Sequence, residues 1–117
     1  MKILVIEDNP DIKEILDYIL QDEGHEVISA FDGSVLTSVE QIKPDLILTD
    51  EILSGPRGST LCRKLKSDDS TKTIPVVLIS GINRLSTIAA ECGADAYIEK
   101  PFNLDTLTEM IRKFAVK

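Results

Sequence analysis

The sequence predicts an α/β fold: a five-stranded parallel sheet, doubly wound as (βα)5 into a three-layer sandwich. Two observations lead there first. Short aliphatic runs of strand length alternate strictly with longer stretches whose apolar residues recur at helical spacing, five of each. Three of the short runs are continuously apolar, as strands buried on both faces are, whereas a strand with one wet face would alternate. The third observation is the alternation itself, which implies parallel pairing through right-handed crossovers, with helices on both sides of the sheet.

Taken in order, Ile3 to Ile6 is the first strand. Asp8 or Asn9 caps the helix that Pro10 opens, Ile12, Ile15, Leu16, Ile19 and Leu20 form its apolar stripe, and Gly24 ends it. Glu26 to Ser29 is a shorter, more polar strand, and Val35, Leu36, Val39 and Ile42 mark a second helix. Leu46-Ile47-Leu48-Thr49-Asp50 is a fully buried strand that finishes on an acid. A loop with Gly55, Pro56 and Gly58 leads to a third helix carrying Leu61 and Leu65. The polar stretch Ser67 to Thr73 reads as a long mobile loop. Val76 to Ile79 follows Pro75 as the fourth strand, and Leu85, Ile88, Ala89 and Cys92 supply a helical stripe closed by Gly93. Ala96-Tyr97-Ile98 is the fifth strand, and Leu104, Leu107, Ile111 and Phe114 mark the last helix.

Strands one, three and four are the apolar ones and belong in the centre, while two and five are mixed, as edges are. The order 2-1-3-4-5 satisfies this, which is the flavodoxin-like arrangement. Its topological switch lies between strands one and three, so their C-terminal ends flank one crevice and Asp50 gains Glu7 and Asp8 as neighbours.

At 117 residues the chain fits one domain, taken as 1–117, with a core that needs neither disulfide nor structural metal. No apolar run reaches membrane-span length and the start lacks the sections of a signal peptide, so a cytoplasmic protein without membrane contact is expected. The net charge of −7 argues against direct nucleic-acid binding, which needs clustered Lys and Arg. Arg57, Arg63, Lys64 and Lys66 are spaced as a solvated helix face, and Cys62 and Cys92, with no CxxC or nearby His, as reduced, partly buried hydrophobes.

The crevice can be read as chemistry. Glu7, Asp8 and Asp50 set three like charges together, an arrangement that a hard divalent cation such as Mg²⁺ relieves. The turn after strand one is acidic, where a nucleotide site would want glycines and hydroxyls. Ser80, followed by Gly81, leaves strand four with a hydroxyl. Lys100, held extended before Pro101, delivers an ammonium after strand five. Singly, each of these has an ordinary reading as a cap, a turn serine or a solvated lysine. Together with a metal they form a site for a phosphoryl group, which Asp50 attacks as a carboxylate nucleophile to give an aspartyl-phosphate.

Glu7-Asp8 after strand one, Asp50 after strand three, Ser80 after strand four, and Tyr97 three residues before Lys100-Pro101-Phe102 resemble the receiver domain of two-component response regulators. The resemblance covers essentially the whole chain. It implies that Asp50 is the phosphoacceptor, charged from a phosphohistidine on a sensor histidine kinase or histidine phosphotransfer protein. It also implies that Asp8, Asp50 and the Ile52 carbonyl hold Mg²⁺ or Mn²⁺, with Glu7 acting mainly through water. Lys100 and Ser80, the accepted variant of a more frequent Thr, would meet the phosphoryl group, and Tyr97 would turn inward as a switch when Ser80 moves. Arg84, Leu85, Tyr97 and Thr106 are the expected face for a downstream effector.

Two positions depart from the family pattern: Ser54 stands where Pro is frequent and Glu51 where an apolar residue is usual, although Gly58 keeps the glycine eight residues after the phosphoacceptor. The residues leave open whether Glu51 alters metal affinity or turns away into a loop contact. Ile52 and Ile82 are apolar and cannot orient an attacking water, so slow self-dephosphorylation is expected. The output is expected to run through a partner, or through an effector region cut away from this chain. Beside the phosphoacceptor switch stand two other classes: an unphosphorylated interaction module on the same fold, and an aspartate-nucleophile phosphohydrolase, which wants a second Asp where Ile52 stands.

Overall fold

The computed structural model describes residues 1–115, so Val116 and Lys117 of the expected domain lie outside the described residues. Five parallel strands, β1 (Lys2–Ile6), β2 (Glu26–Ala30), β3 (Leu46–Asp50), β4 (Val76–Ser80) and β5 (Ala96–Glu99), pair in the order β2-β1-β3-β4-β5. The helices are α1 (Pro10–Asp22), α2 (Val39–Ile42), α3 (Gly58–Ser67), α4 (Leu85–Cys92) and α5 (Leu104–Ala115). This is the predicted sheet, fold class and strand order.

Pleating splits each central strand between two cores. Ile3, Val5, Leu46, Leu48, Val77, Ile79 and Ile98 meet Leu16 and Leu20 of α1 and Leu107 and Ile111 of α5. Leu4, Ile6, Ile47, Val76 and Leu78 meet Leu61, Cys62 and Leu65 of α3 and Leu85, Ala89 and Cys92 of α4. Each fully buried aliphatic contributes about 2 kcal/mol by leaving water, so the two-sided burial of β1, β3 and β4 fixes their central places. The register sets Ile6 against Thr49, Asp50 against Ile79, and Ser80 against Glu99. Residues that follow these strands therefore gather along one edge.

Four local readings change. The second helix is a 3₁₀ stretch, Gly33–Ser38, followed by the single turn α2. Polar side chains tighten it, since Asp32 caps the Ser34 N–H and the Thr37 hydroxyl donates to the Ser34 carbonyl, and Gly33 lets it press on Leu61, whose Cδ2 a Cβ there would approach to 2.6 Å. Ile15 is 49% exposed, because Leu16 and Leu20 already point at the sheet and a neighbour lies about 100° round the helix. Ser67 to Thr73 is a pinned turn: the Thr71 hydroxyl is buried and donates to the Leu65 carbonyl at 2.7 Å. Lys66 leaves the solvated basic face and bends in to Asp95 at 2.7 Å and the Ile74 carbonyl at 2.8 Å.

Cys62 and Cys92 are unbridged and buried, and burial, reinforced by Cys92, pushes the Cys62 thiol up to about 12. Among the described residues no helix is long and apolar enough to cross a membrane.

Candidate functional site

β1 ends beside the crevice. Its pairing runs one residue on, with the Glu7 N–H donating to the Ala30 carbonyl at 2.9 Å, so Glu7 is held at the strand end and is 1% exposed. Asn9 takes the cap of α1, its Oδ1 accepting the N–H groups of Asp11 and Ile12 at 2.9 and 3.2 Å. That leaves the Asp8 carboxylate to face the loop after β3, where the Ser54 hydroxyl donates to Oδ2 at 3.5 Å.

Asp50 ends β3 and is 6% exposed; the Ile52 N–H donates to its Oδ1 at 3.1 Å. Lys100 arrives from beyond β5, its N–H donating to the Ser80 carbonyl at 2.9 Å, and its peptide bond to Pro101 is cis. The Lys100 ammonium donates to Asp50 Oδ2 at 2.7 Å and to Glu7 Oε1 at 2.9 Å. Burial raises the Glu7 pKa above the usual carboxylate value, the Lys100 hydrogen bond opposes this, and the Asp50 charge adds to it. Burial alone would lower the Lys100 pKa. Its hydrogen bonds to Asp50 and Glu7 outweigh that and hold the ammonium above its ordinary 10.5.

Glu7, Asp50 and Lys100 are thus in direct contact, with Asp8 joined to them at the rim through the Ser54 loop. The gathering is less even than three acids around one point: Lys100 stands between two of them, and among the described residues no three acidic, His or Cys side chains form a ready cation cage. Three carboxylates against one ammonium still leave excess negative charge, and Asp8 and Asp50 offer hard oxygen donors of the kind Mg²⁺ takes. The residues fit such a cation.

Ser80 is 2% exposed at the end of β4 and joins Lys100 through its backbone. Tyr97 is 38% exposed, an outward setting for the expected switch ring, and Arg84 and Thr106 are exposed as expected. Leu85 is not: at 2% exposure it packs inside with Ala89 and Cys92, so its place in the α4 stripe overrides the partner-face reading. Ile82 is half-buried against the same core, while Ile52 is 45% exposed beside Asp50.

Glu51, whose direction the sequence leaves open, turns away from the crevice. Its Oε1 accepts the Ser59 N–H at 2.5 Å and its Oε2 the Ser59 hydroxyl at 2.8 Å. Gly58 is required by contact, because a Cβ there would fall 2.1 Å from the Asp50 carbonyl oxygen.

Residues 3–112 match the family model described as the response regulator receiver domain. The chain belongs to the response regulator receiver family. A curated relative, the DNA-binding response regulator MtrA of Mycolicibacterium smegmatis, is 35% identical over 95% of this receiver and 49% of its own length. The receiver chain therefore spans about half the length of the curated relatives it matches. Among solved structures, a putative response regulator from Chloroflexus aurantiacus superposes with a TM-score of 0.92 at 28% identity, covering 99% of this chain and 98% of the other. The Thermotoga maritima response regulator TrrA, solved in complex with Mg²⁺ and BeF, gives 0.87 at 29% identity over 97% of both chains.

Proposed function

We propose that this receiver is a phosphoacceptor switch in which Asp50 takes a phosphoryl group from a partner's phosphohistidine. An Asp50 carboxylate oxygen attacks phosphorus, the O–P bond forms as the histidine N–P bond breaks, and the imidazole leaves with the electron pair. Asp8, Asp50 and the Ile52 carbonyl would hold Mg²⁺, or Mn²⁺, with Glu7 acting through water. The cation's chemistry is to neutralise charge on the phosphoryl oxygens. Lys100, released in part from Asp50 as that carboxylate becomes an acyl phosphate, keeps its ammonium for a phosphoryl oxygen, and the Ser80 hydroxyl donates to another. Tyr97 then changes its exposure and alters binding of a downstream effector protein at a surface that includes Arg84 and Thr106.

The observation that carries this reading is the Lys100 ammonium bonded at once to Asp50 and Glu7, residues far from it in sequence that meet it at one edge of the sheet. A cation fixed within 3 Å of a strand-end carboxylate is what an incoming phosphoryl dianion needs. The relatives' printed names support the class: MtrA is a DNA-binding regulator, and TrrA was solved with Mg²⁺ and BeF. We place the switch in the cytoplasm, in keeping with two unbridged thiols.

Incubation with acetyl phosphate and Mg²⁺, followed by mass spectrometry, tests the reading. One phosphoryl group gained in the parent and none in Asp50→Asn supports it. No gain makes the chain an unphosphorylated interaction module, and rapid release of free phosphate makes it a phosphohydrolase.

A further inference from the structure

Glu51 follows the phosphoacceptor directly, is 1% exposed, and spends both carboxylate oxygens on Ser59, with Arg57 Nη1 a further 3.9 Å away. Ser59 lies in the first turn of α3, where N–H groups lack helical partners. The cap residue of that helix, Arg57, accepts no hydrogen bond with its side chain. Glu51 therefore caps α3 from across the loop instead of from beside it.

The backbone repeats the closure. The Gly58 N–H donates to the Glu51 carbonyl at 3.0 Å, and Gly58 lies too close to the Asp50 carbonyl for any Cβ. The segment from Asp50 to Gly58 is consequently a closed loop with both ends fastened beside the phosphoacceptor. It carries Ile52, whose N–H donates to Asp50 Oδ1, and Ser54, whose hydroxyl reaches Asp8.

We propose that Glu51 is a positioning residue for the cation site. Its buried carboxylate fixes the loop, and through the loop the Ile52 carbonyl and the Asp50 carboxylate, without touching cation or phosphoryl group. The inference rests on the functional reading above and adds a residue to it. Residues that orient ligands from behind cost about 10–100-fold in metal affinity when removed.

The test is calorimetric titration with Mg²⁺, beside thermal unfolding without metal, of the parent, Glu51→Gln, Glu51→Leu and Glu51→Leu with Arg57→Ser. The glutamine keeps an oxygen for the Ser59 N–H, and its amide can donate to the Ser59 hydroxyl, so near-parental affinity is expected. The leucine makes neither bond, and about tenfold weaker Mg²⁺ binding is expected. Arg57→Ser supplies a local cap, which should restore stability but not affinity. Affinity restored together with stability would reduce Glu51 to a helix cap and overturn the proposal. So would Glu51→Leu binding Mg²⁺ as the parent does. Should Glu51→Leu not fold, Ser59→Ala, which deletes one of the two bonds, decides: weaker binding supports the proposal and parental binding overturns it. A parent that binds no Mg²⁺ removes the functional reading and this inference together, whereas equal binding in parent and variant removes the inference alone.

Discussion

The Lys100 ammonium lies 2.7 Å from Asp50 Oδ2, and the same nitrogen lies 2.9 Å from Glu7 Oε1. One cation thereby compensates two buried acids that come from different strands. Deleting it strands both. Lys100→Met should destabilise the fold by about 3 kcal/mol, the lower end for breaking a buried pair, since the lysine side chain is 22% exposed. The pH dependence has a definite sign. The folded state raises the Lys100 pKa, so this contribution is complete below the unfolded value of 10.5 and is lost as pH rises through the folded one. The stability difference between parent and Lys100→Met, from urea unfolding, should stay level from neutral pH to that value and shrink above it. A difference that grows there contradicts the ion-pair assignment.

Gly58 tests how tightly α3 is set against the phosphoacceptor. A Cβ at 2.1 Å from the Asp50 carbonyl oxygen meets backbone, which cannot swing aside as a flexible side chain would. Gly58→Ala should therefore cost about 3 kcal/mol, the upper end for overpacking, and should also lower the rate of phosphorylation by acetyl phosphate. Ala at Gly81, where the nearest side-chain atom is 3.6 Å away, is the control and should leave both near parental.

Sheet, strand order and the gathering of Lys100 and Asp50 at one sheet edge were legible in the sequence because each rests on a strong local signal. Continuous apolar runs mark the central strands, and residues directly after them share an edge. What misled were side chains whose direction a pattern leaves open. Leu85 fits both a helix stripe and a partner face, and only packing with Ala89 and Cys92 decides. The 3₁₀ stretch at Gly33–Ser38 has helical spacing, but its Asp32 and Thr37 bonds compete with the regular ladder. Glu51 was illegible because its partner Ser59 lies beyond a turn whose path depends on Gly58. An acid eight residues before a serine carries no recognisable signal.

Ile52 and Ile82, the two apolar residues expected to leave an attacking water unoriented, differ in their surroundings. Ile52 is 45% exposed, so Ile52→Asn can place an amide beside Asp50 at little structural cost. Ile82 packs on the α3 and α4 core, and a glutamate there brings a desolvation penalty. Ile52→Asn alone should speed loss of the Asp50 phosphoryl group, followed as phosphate release over time, with thermal stability unchanged. The double variant with Ile82→Glu should be faster still but less stable. Equal lifetimes in parent and both variants would dismiss the water-exclusion account.

Leu85 and Tyr97 separate a core role from a surface role on the same side of the molecule. Leu85 is 2% exposed and loses its packing against Ala89 and Cys92 on truncation, so Leu85→Ala should cost about 2–4 kcal/mol. Tyr97 is 38% exposed on edge strand β5, and Tyr97→Ala should leave stability within about 1 kcal/mol of the parent. If the phosphoryl signal passes through the ring, the two variants diverge again in function. Phosphorylated Leu85→Ala, assayed below its lowered melting temperature, keeps the parent's gain in partner affinity over the unphosphorylated form. Phosphorylated Tyr97→Ala loses that gain while still taking up phosphate from acetyl phosphate. Partner affinity that rises on phosphorylation of Tyr97→Ala as it does in the parent would place the switch elsewhere than the β5 edge.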